Sequence, residues 1–315
     1  MNSPLIFVHI PKSAGTSFRN AFEQQFGLNR VMRDYSPKAP ETSAEVLTSV
    51  YRREDIYAFG KKLLDGKTVL LAGHFTAIKY ARILPIENMT TFVREPVGRV
   101  ISEFKHFQRH RGYDGSLLKF AKQTQFKNVQ SAFLREVPIL GIGFIGITEL
   151  YQEAIAIFNK QFNMNIPMLF NNIAPREALL TAEFEPQVIE KIIELNQKDI
   201  KLYQFLLRLY EQRKALHQKN VSYTYGQFEF QGSHNLVGWA FQKGCEKPLV
   251  IELHWDGKKQ QELIANKYQM LMNSFNCPRH GYIGFQAVLP EYVDRSLVCC
   301  VVKKTKQTLF SAYVR

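Results

Sequence analysis

Cysteine is scarce in this chain: Cys245, Cys277, Cys299 and Cys300 are the whole complement, all in the last quarter, and none forms a C-x-x-C pair. A zinc ribbon or a thioredoxin-like redox site is therefore not expected, and reduced thiols are favoured over a Cys245–Cys277 disulfide. No stretch of 18 residues is free of Asp, Glu, Lys and Arg, so no transmembrane helix is expected. Lys12 interrupts the first apolar run after a few residues and no cationic segment precedes it, which argues against a signal peptide and makes a cytoplasmic protein the expectation. Acidic residues are also in short supply, 28 Asp and Glu against 41 Lys and Arg, which leaves a formal charge of +13. Such an excess points to an anionic partner: nucleic acid, anionic lipid, a nucleotide or an acidic polysaccharide. No DNA- or RNA-binding motif, internal repeat or low-complexity tract is present, so nucleic acid is not the expected partner.

What is present is an ordinary globular composition, 45% hydrophobic and 22% charged, over 315 residues. That length suits one large domain with a smaller companion. Leu5–Ile10 reads as a short buried strand, followed by helical spacing over Thr16–Phe26. Further buried strands are expected at Thr68–Ala72 and Met89–Val93, and a basic amphipathic helix starts at Pro96, a residue suited to a first helical turn. Strands alternating with helices imply a parallel sheet. Thr148–Asn159 reads as a helix, Pro167–Phe170 as a strand, and Pro186 to about Gln218 as one long helix. Beyond Val221 the pattern changes to alternation punctuated by glycine: Phe228–Gly232, Val237–Phe241, and Leu249–Trp255 followed by Asp256-Gly257, a hairpin signature. The expected organisation is an α/β domain over residues 1–219 and an all-β domain over 220–315.

Two loops carry the chemistry. His9-Ile10-Pro11-Lys12-Ser13-Ala14-Gly15-Thr16-Ser17 sits where a strand hands over to a helix. Unpaired amides at the helix N-terminus point at an anion, Gly15 permits close approach, and Thr16 and Ser17 supply hydroxyls. It is not a Walker A loop, because the Lys precedes the Gly and the full G-x-x-x-x-G-K-[ST] pattern is missing. The second loop, Thr91-Phe92-Val93-Arg94-Glu95-Pro96-Val97-Gly98-Arg99-Val100-Ile101-Ser102, follows another expected strand. Arg94 stands at the strand's carboxyl end, where open α/β sheets bind ligands, and Ser102 lies about two helical turns on. A guanidinium matches phosphate oxygens in a bidentate fork. Alone, Arg94 reads equally well as an ion-pair partner. Between Arg94 and Lys127 there are eight Lys or Arg and three acids, so the basic excess is locally concentrated.

The run I-P-K-S-A-G-T-S resembles the 5′-phosphosulfate loop of the Golgi-type carbohydrate sulfotransferases, and R-E-P-V-G-R-V-I-S resembles their 3′-phosphate motif. Phe144–Glu149 and the Asp199, Leu202, Tyr203 run resemble later landmarks of that family. The resemblance covers residues 5 to 210 discontinuously. It implies a P-loop-like three-layer α/β fold and 3′-phosphoadenosine 5′-phosphosulfate (PAPS) as donor. Lys12, Ser13, Ala14, Gly15, Thr16 and Ser17 would hold the 5′-phosphosulfate, and Arg94 and Ser102 the 3′-phosphate, with no metal. The acceptor would be a carbohydrate hydroxyl, in an acidic glycan where the basic helix takes part.

Sulfonate transfer to a hydroxyl needs a base for the acceptor proton and positive charge for the departing phosphate oxygen. Lys12 suits the second task. For the first, Leu71-Ala72-Gly73-His74-Phe75 resembles the G-H element of the heparan sulfate 2-O-sulfotransferase branch, whose matching histidine is the base. The branch that uses glutamate places it eight residues after the loop lysine, and here that position is Asn20. His74 is the leading candidate and His106 the reserve; the competing reading of His74 is a histidine satisfying a strand end. At the other end of the chain, Gly238-Trp239-Ala240, Pro248–Leu253, Asp256-Gly257, Ala265, Tyr268 and Gly281–Pro290 resemble a β-sandwich accessory module of bacterial glycan-modifying enzymes. Trp239, Trp255 and Tyr268 are there either sugar-stacking or core residues. Two rival functions remain at this point, a P-loop kinase and a non-catalytic binder of acidic glycan or nucleic acid.

Overall fold

The computed structural model describes residues 3–65, 67–169 and 181–313. The chain forms two compact units, one of Met1–Tyr80, Asn88–Val137 and Phe144–Tyr210, the other of Ala81–Glu87, Pro138–Gly143 and Glu211–Arg315.

The first unit is built on five strands, β1 (Leu5–Val8), β2 (Val31–Asp34), β3 (Leu70–Gly73), β4 (Met89–Val93) and β5 (Phe144–Ile147), in spatial order β2-β3-β1-β4-β5. Every pairing is parallel. All residues of β1, β3, β4 and β5 are buried, as expected of strands covered on both faces. Among the described residues the unit's helices include α1 (Gly15–Phe26), α2 (Ile56–Leu64), α3 (Pro96–Arg111), α4 (Leu117–Ala121), α5 (Val129–Phe133), α6 (Tyr151–Phe162), α7 (Pro186–Leu195) and α8 (Gln197–Gln218), the last belonging to this unit up to Tyr210. The chain moves one way along the sheet from β1 to β2 and the opposite way in the later crossovers. Right-handed connections then put helices on both faces, a three-layer α/β build. Phe18 and Phe22 of α1 pack on Phe158 of α6, with ring centroids 5.0 and 6.0 Å apart. The strand order reverses beside β1, so β1, β3 and β4 deliver the ends of their strands to one crevice.

Three expectations need correction. The single helix from Pro186 is two helices broken at Asn196, whose φ of −120° leaves the helical region. Its side chain explains the break: Oδ1 accepts from the Asn128 amide at 2.9 Å while Nδ2 donates to Ile192 O at 2.9 Å, a local bonding scheme that competes with helix continuation. Strand β2 was not anticipated, because Arg33 interrupts its apolar pattern; as an edge strand it can turn that side chain to Glu23 at 2.7 Å. No strand forms over Pro167–Leu169, and Phe170 lies outside the described residues.

The second unit contains a five-stranded sheet in order β10-β11-β7-β6-β13 and a three-stranded sheet in order β12-β8-β9. Its strands are β6 (Tyr225–Gln231), β7 (Asn235–Phe241), β8 (Leu249–Trp255), β9 (Lys258–Ala265), β10 (Lys267–Tyr268), β11 (Tyr282–Val288), β12 (Cys299–Val302) and β13 (Phe310–Ser311). One core joins the two sheets, with Phe228, Leu236 and Phe285 from the first against Ile251, Leu253 and Cys300 from the second. That is a β-sandwich. Asp256 and Gly257 both have positive φ, 52° and 71°, as a type I′ hairpin between β8 and β9 requires. Trp239 and Trp255 are buried, at 4% and 9% exposure, whereas Tyr268 is half exposed. All four cysteines are free thiols. Among the described residues no helix is long and apolar enough to cross a membrane.

Candidate active site

β1 ends at Val8, and the loop that follows bends through two left-handed residues that are not glycine, Lys12 at φ 66° and Ala14 at φ 59°. Such conformations cost energy in an L-residue and concentrate at functional sites. Left-handed residues interleaved in a turn direct successive backbone N–H groups to one concave side, which makes an anion nest. α1 begins at Gly15 and has no side-chain cap, so its first amides lack intrahelical partners and its positive end faces the loop. Ser13 is 1% exposed, and its buried Oγ has no hydrogen-bond partner. An unsatisfied buried hydroxyl costs about 1–3 kcal/mol, a cost that a ligand's acceptor oxygen would relieve. The loop therefore fits a phosphate-bearing ligand by its amides, its lysine and this orphaned hydroxyl.

Gly15 has a further task that the sequence did not reveal. A Cβ there would lie 2.0 Å from Cδ2 of His9. His9 cannot easily yield: it is buried, its Nδ1 lies 2.8 Å from the Tyr35 hydroxyl, and its ring stacks on Phe7. Burial pushes its pKa well below the ordinary histidine value, and the neighbouring His74, Arg19 and Lys12 act in the same direction.

His74 is the first residue after β3 and therefore stands on the ligand edge beside the loop. Its ring centroid is 4.4 Å from that of His9 and 4.7 Å from that of Tyr35. Nδ1 lies 2.7 Å from the carbonyl oxygen of His9. A carbonyl only accepts, so Nδ1 carries the proton, and the neutral ring keeps its lone pair on Nε2. The side chain has an exposed edge, yet the protein packed around it lowers its pKa, chiefly through desolvation. The bond to the His9 carbonyl opposes that shift, Arg19 adds to it and Glu41 opposes it. Neutral His74 with Nε2 open is the protonation state a general base requires.

Lys12 is half-buried. Its pKa is lowered first by burial; Glu103 draws it back up, while Arg109 and Arg94 push it down. The second loop thus lies within electrostatic reach of the first, and a hydrogen bond joins them: Nη1 of Arg94 donates to the carbonyl of Lys12 at 3.3 Å. Arg94 is 4% exposed, and its Nε stands 4.0 Å from Glu149. Gln130 clamps its backbone from both sides, accepting from Arg94 N and donating to Arg94 O, each at 2.8 Å. Gln130 and Ser131 in turn present their amides to the carboxylate of fully buried Asp199, at 3.0 and 2.7 Å.

The two helix starts differ. Glu95 caps α3, accepting from the amides of Val97 at 3.0 Å and Gly98 at 2.6 Å, so this helix end already holds a carboxylate. An anion at the second loop would depend on the Arg94 and Ser102 side chains instead. Ser102 is half-buried on the helical stripe that continues, four residues on, to His106. His106 senses the Lys12 charge: its pKa is lowered by desolvation first, then by Lys12 and by His110, Arg111 and Arg109.

Tyr35, Glu103 and Gln130 escaped the sequence reading, whereas His9 is the structural histidine that its place at the end of the first strand leads one to expect. Tyr35 follows the unanticipated β2, and Gln130 acts from a five-residue helix with no periodicity to read. Glu103 had a signal, its place four residues after Arg99 within a basic helix. Its pKa is raised by burial, against the pull of Arg99 and Lys12. Among the described residues no group of three or more His, Cys, Asp or Glu is placed to hold a metal ion.

Residues 2–164 match the model of the sulfotransferase family. No curated protein matches the chain. Among solved structures the chain is similar to a sulfotransferase from Alicyclobacillus acidocaldarius, at 15% identity over 66% of this chain and 97% of that one, with a TM-score of 0.34.

Proposed function

Because the chain belongs to the sulfotransferase family, we propose that it transfers a sulfonate group from PAPS to a hydroxyl of a carbohydrate, with His74 as general base and Lys12 as the cation that stabilises the leaving phosphate. Nε2 of His74 takes the acceptor's hydroxyl proton as the acceptor oxygen bonds to sulfur, while the sulfur–oxygen bond to the 5′-phosphate breaks. The charge that collects on the departing phosphate oxygen is met by the Lys12 ammonium and the amides of residues 13–17. Arg94 and Ser102 hold the 3′-phosphate. The chemistry calls for no metal ion.

The observation that carries this reading is the junction of three groups on one loop. The His9 carbonyl fixes the tautomer of His74, and three residues on, the Lys12 carbonyl accepts from Arg94. The candidate base, the leaving-group cation and the second anion ligand are therefore anchored to the same short segment. Within the family, the choice of His74 rests on likeness to the heparan sulfate 2-O-sulfotransferase branch and on the absence of a glutamate at position 20. The exposed end of α3, with Arg109, His110 and Arg111, favours an acidic glycan as acceptor. Residues 220–315 are proposed as an accessory domain.

Calorimetry with adenosine 3′,5′-bisphosphate tests the donor site. Lys12→Ala and Arg94→Ala are each expected to weaken binding by about tenfold or more, since each removes a charge-assisted hydrogen bond. Unchanged affinity in both variants sinks the donor assignment. Incubation with radiolabelled PAPS and a panel of neutral and acidic glycans then identifies the acceptor.

A further inference from the structure

The second unit carries a surface whose chemistry differs from the rest of this basic chain. In β6, Phe228 enters the sandwich core, so its neighbours Gln227, Glu229 and Gln231 stand on the opposite face of the sheet. In the register with β7, Gln227 lies opposite Trp239 and Glu229 opposite Val237. Gln269 reaches over the same sheet and donates through Nε2 to the carbonyl of Gly238 at 3.3 Å. Together these residues line a cleft of about 210 Å³. Trp239 is nearly sealed at 4% exposure, Glu229 and Gln231 are open to solvent, and Gln227 is half-buried.

Three amides and one carboxylate line the cleft, without a single Lys or Arg, in a protein whose net charge is +13. A polyanion has nothing to bind there. Amide side chains both donate and accept, which is the pattern a ligand rich in neutral hydroxyls needs, because each hydroxyl does the same. One residue before Gln269, Tyr268 forms a ring pair with Tyr282 across β10 and β11, with centroids 5.3 Å apart. The two rings are 50% and 52% exposed, and such rings offer apolar faces with a polar edge. The cleft is smaller than the ~300–1,000 Å³ of a typical small-molecule site, so it suits one unit of a longer chain rather than a nucleotide.

We propose that this cleft is a carbohydrate-binding site for neutral oligosaccharides, separate from the residues that carry sulfonate transfer. The site holds one sugar ring among Gln227, Glu229, Gln231 and Gln269, and the chain continues toward the Tyr268 and Tyr282 rings.

The full-length protein is titrated calorimetrically with cellohexaose, xylohexaose, maltohexaose and mannohexaose, and with a heparin-derived hexasaccharide as the acidic comparator. At least one neutral hexasaccharide is expected to bind. The triple variant Gln227→Ala, Glu229→Ala, Gln231→Ala should bind it about tenfold more weakly or worse, and Lys12→Ala should bind it as the parent does. Should the triple variant not fold, Glu229→Lys at its exposed position must show the same loss. Binding of the heparin fragment alone, binding of no neutral hexasaccharide, or full affinity in the folded variants overturns the proposal. Because Lys12→Ala disables the donor loop and spares this cleft, failure of this site and failure of the transfer mechanism give different results.

Discussion

Replacing His74 by Asn separates the chemistry of the imidazole from its structural bond. The amide nitrogen of Asn sits near the position of Nδ1 and can still donate to the His9 carbonyl, which His74 meets at 2.7 Å. Folding stability should therefore stay within about 1 kcal/mol of the parent, whereas His74→Ala, which leaves that carbonyl without its donor, should lose about 0.5–1.5 kcal/mol. Neither replacement supplies a basic nitrogen where Nε2 was. Losing a general base costs about 10²–10⁴ in rate, which at about 1.36 kcal/mol per decade is roughly 2.7–5.5 kcal/mol of barrier. Both variants should thus show the same deficit in turnover while differing in stability. The pH profile supplies the second signature: burial holds the His74 pKa below 6.5, so parental kcat/KM should stay flat through neutrality and fall on the acid side of 6.5. The assay is single-turnover transfer from radiolabelled PAPS between pH 5 and 9, with urea unfolding of each variant alongside. A folded His74→Asn protein that retains turnover within about threefold of the parent, or that keeps the same acid limb, would refute the reasoning.

Gly15→Ala forces a methyl group to within 2.0 Å of the wedged His9 ring, an overpacking cost of about 1–3 kcal/mol that should lower the melting temperature and the transfer rate together. A fully stable, fully active variant would show that His9 can move aside. Asp199→Ala strands the amides of Gln130 and Ser131 and removes a counter-charge from buried Arg99. At about 1.5–3 kcal/mol for each charge-assisted bond, a loss of roughly 3 kcal/mol or more is expected in urea unfolding, with weaker nucleotide binding through the displaced Arg94. Stability should also depend on pH through His9, whose folded-state pKa lies well below 6.5. Between those two values the unfolded chain binds a proton that the folded chain refuses, so stability is intact above pH 6.5 and falls as pH drops, by up to about 1.4 kcal/mol per pH unit. A slope unaffected by His9→Asn would assign that dependence to other groups.

Local pattern located the elements that bury one kind of face. Met89–Val93 and Leu249–Trp255 have the bounds read from the sequence, because an uncharged run rich in β-branched residues and an aliphatic segment before Asp-Gly each favour a strand. Elements decided by distant partners were not visible. β2 exists because an edge position lets Arg33 leave the sheet for Glu23, and the helix from Pro186 stops because Asn196 finds Asn128, 68 residues away. Proximity of that kind has no local signature.

The same division holds for the site. The candidate groups stand in order along the chain, each at a strand end: a lysine loop after one strand, a histidine after a second, and an arginine followed by a serine after a third. Protonation and pairing were not legible there. That His74 keeps its lone pair on Nε2 depends on a carbonyl 65 residues earlier, that Gly15 must be glycine depends on a buried imidazole, and that Arg94 reaches the Lys12 carbonyl depends on parallel β1 and β4 lying side by side. A sequence specifies which groups each strand end carries, but a tautomer, a shifted pKa and a steric exclusion belong to pairs of groups, and such pairs exist only after the sheet has brought them together.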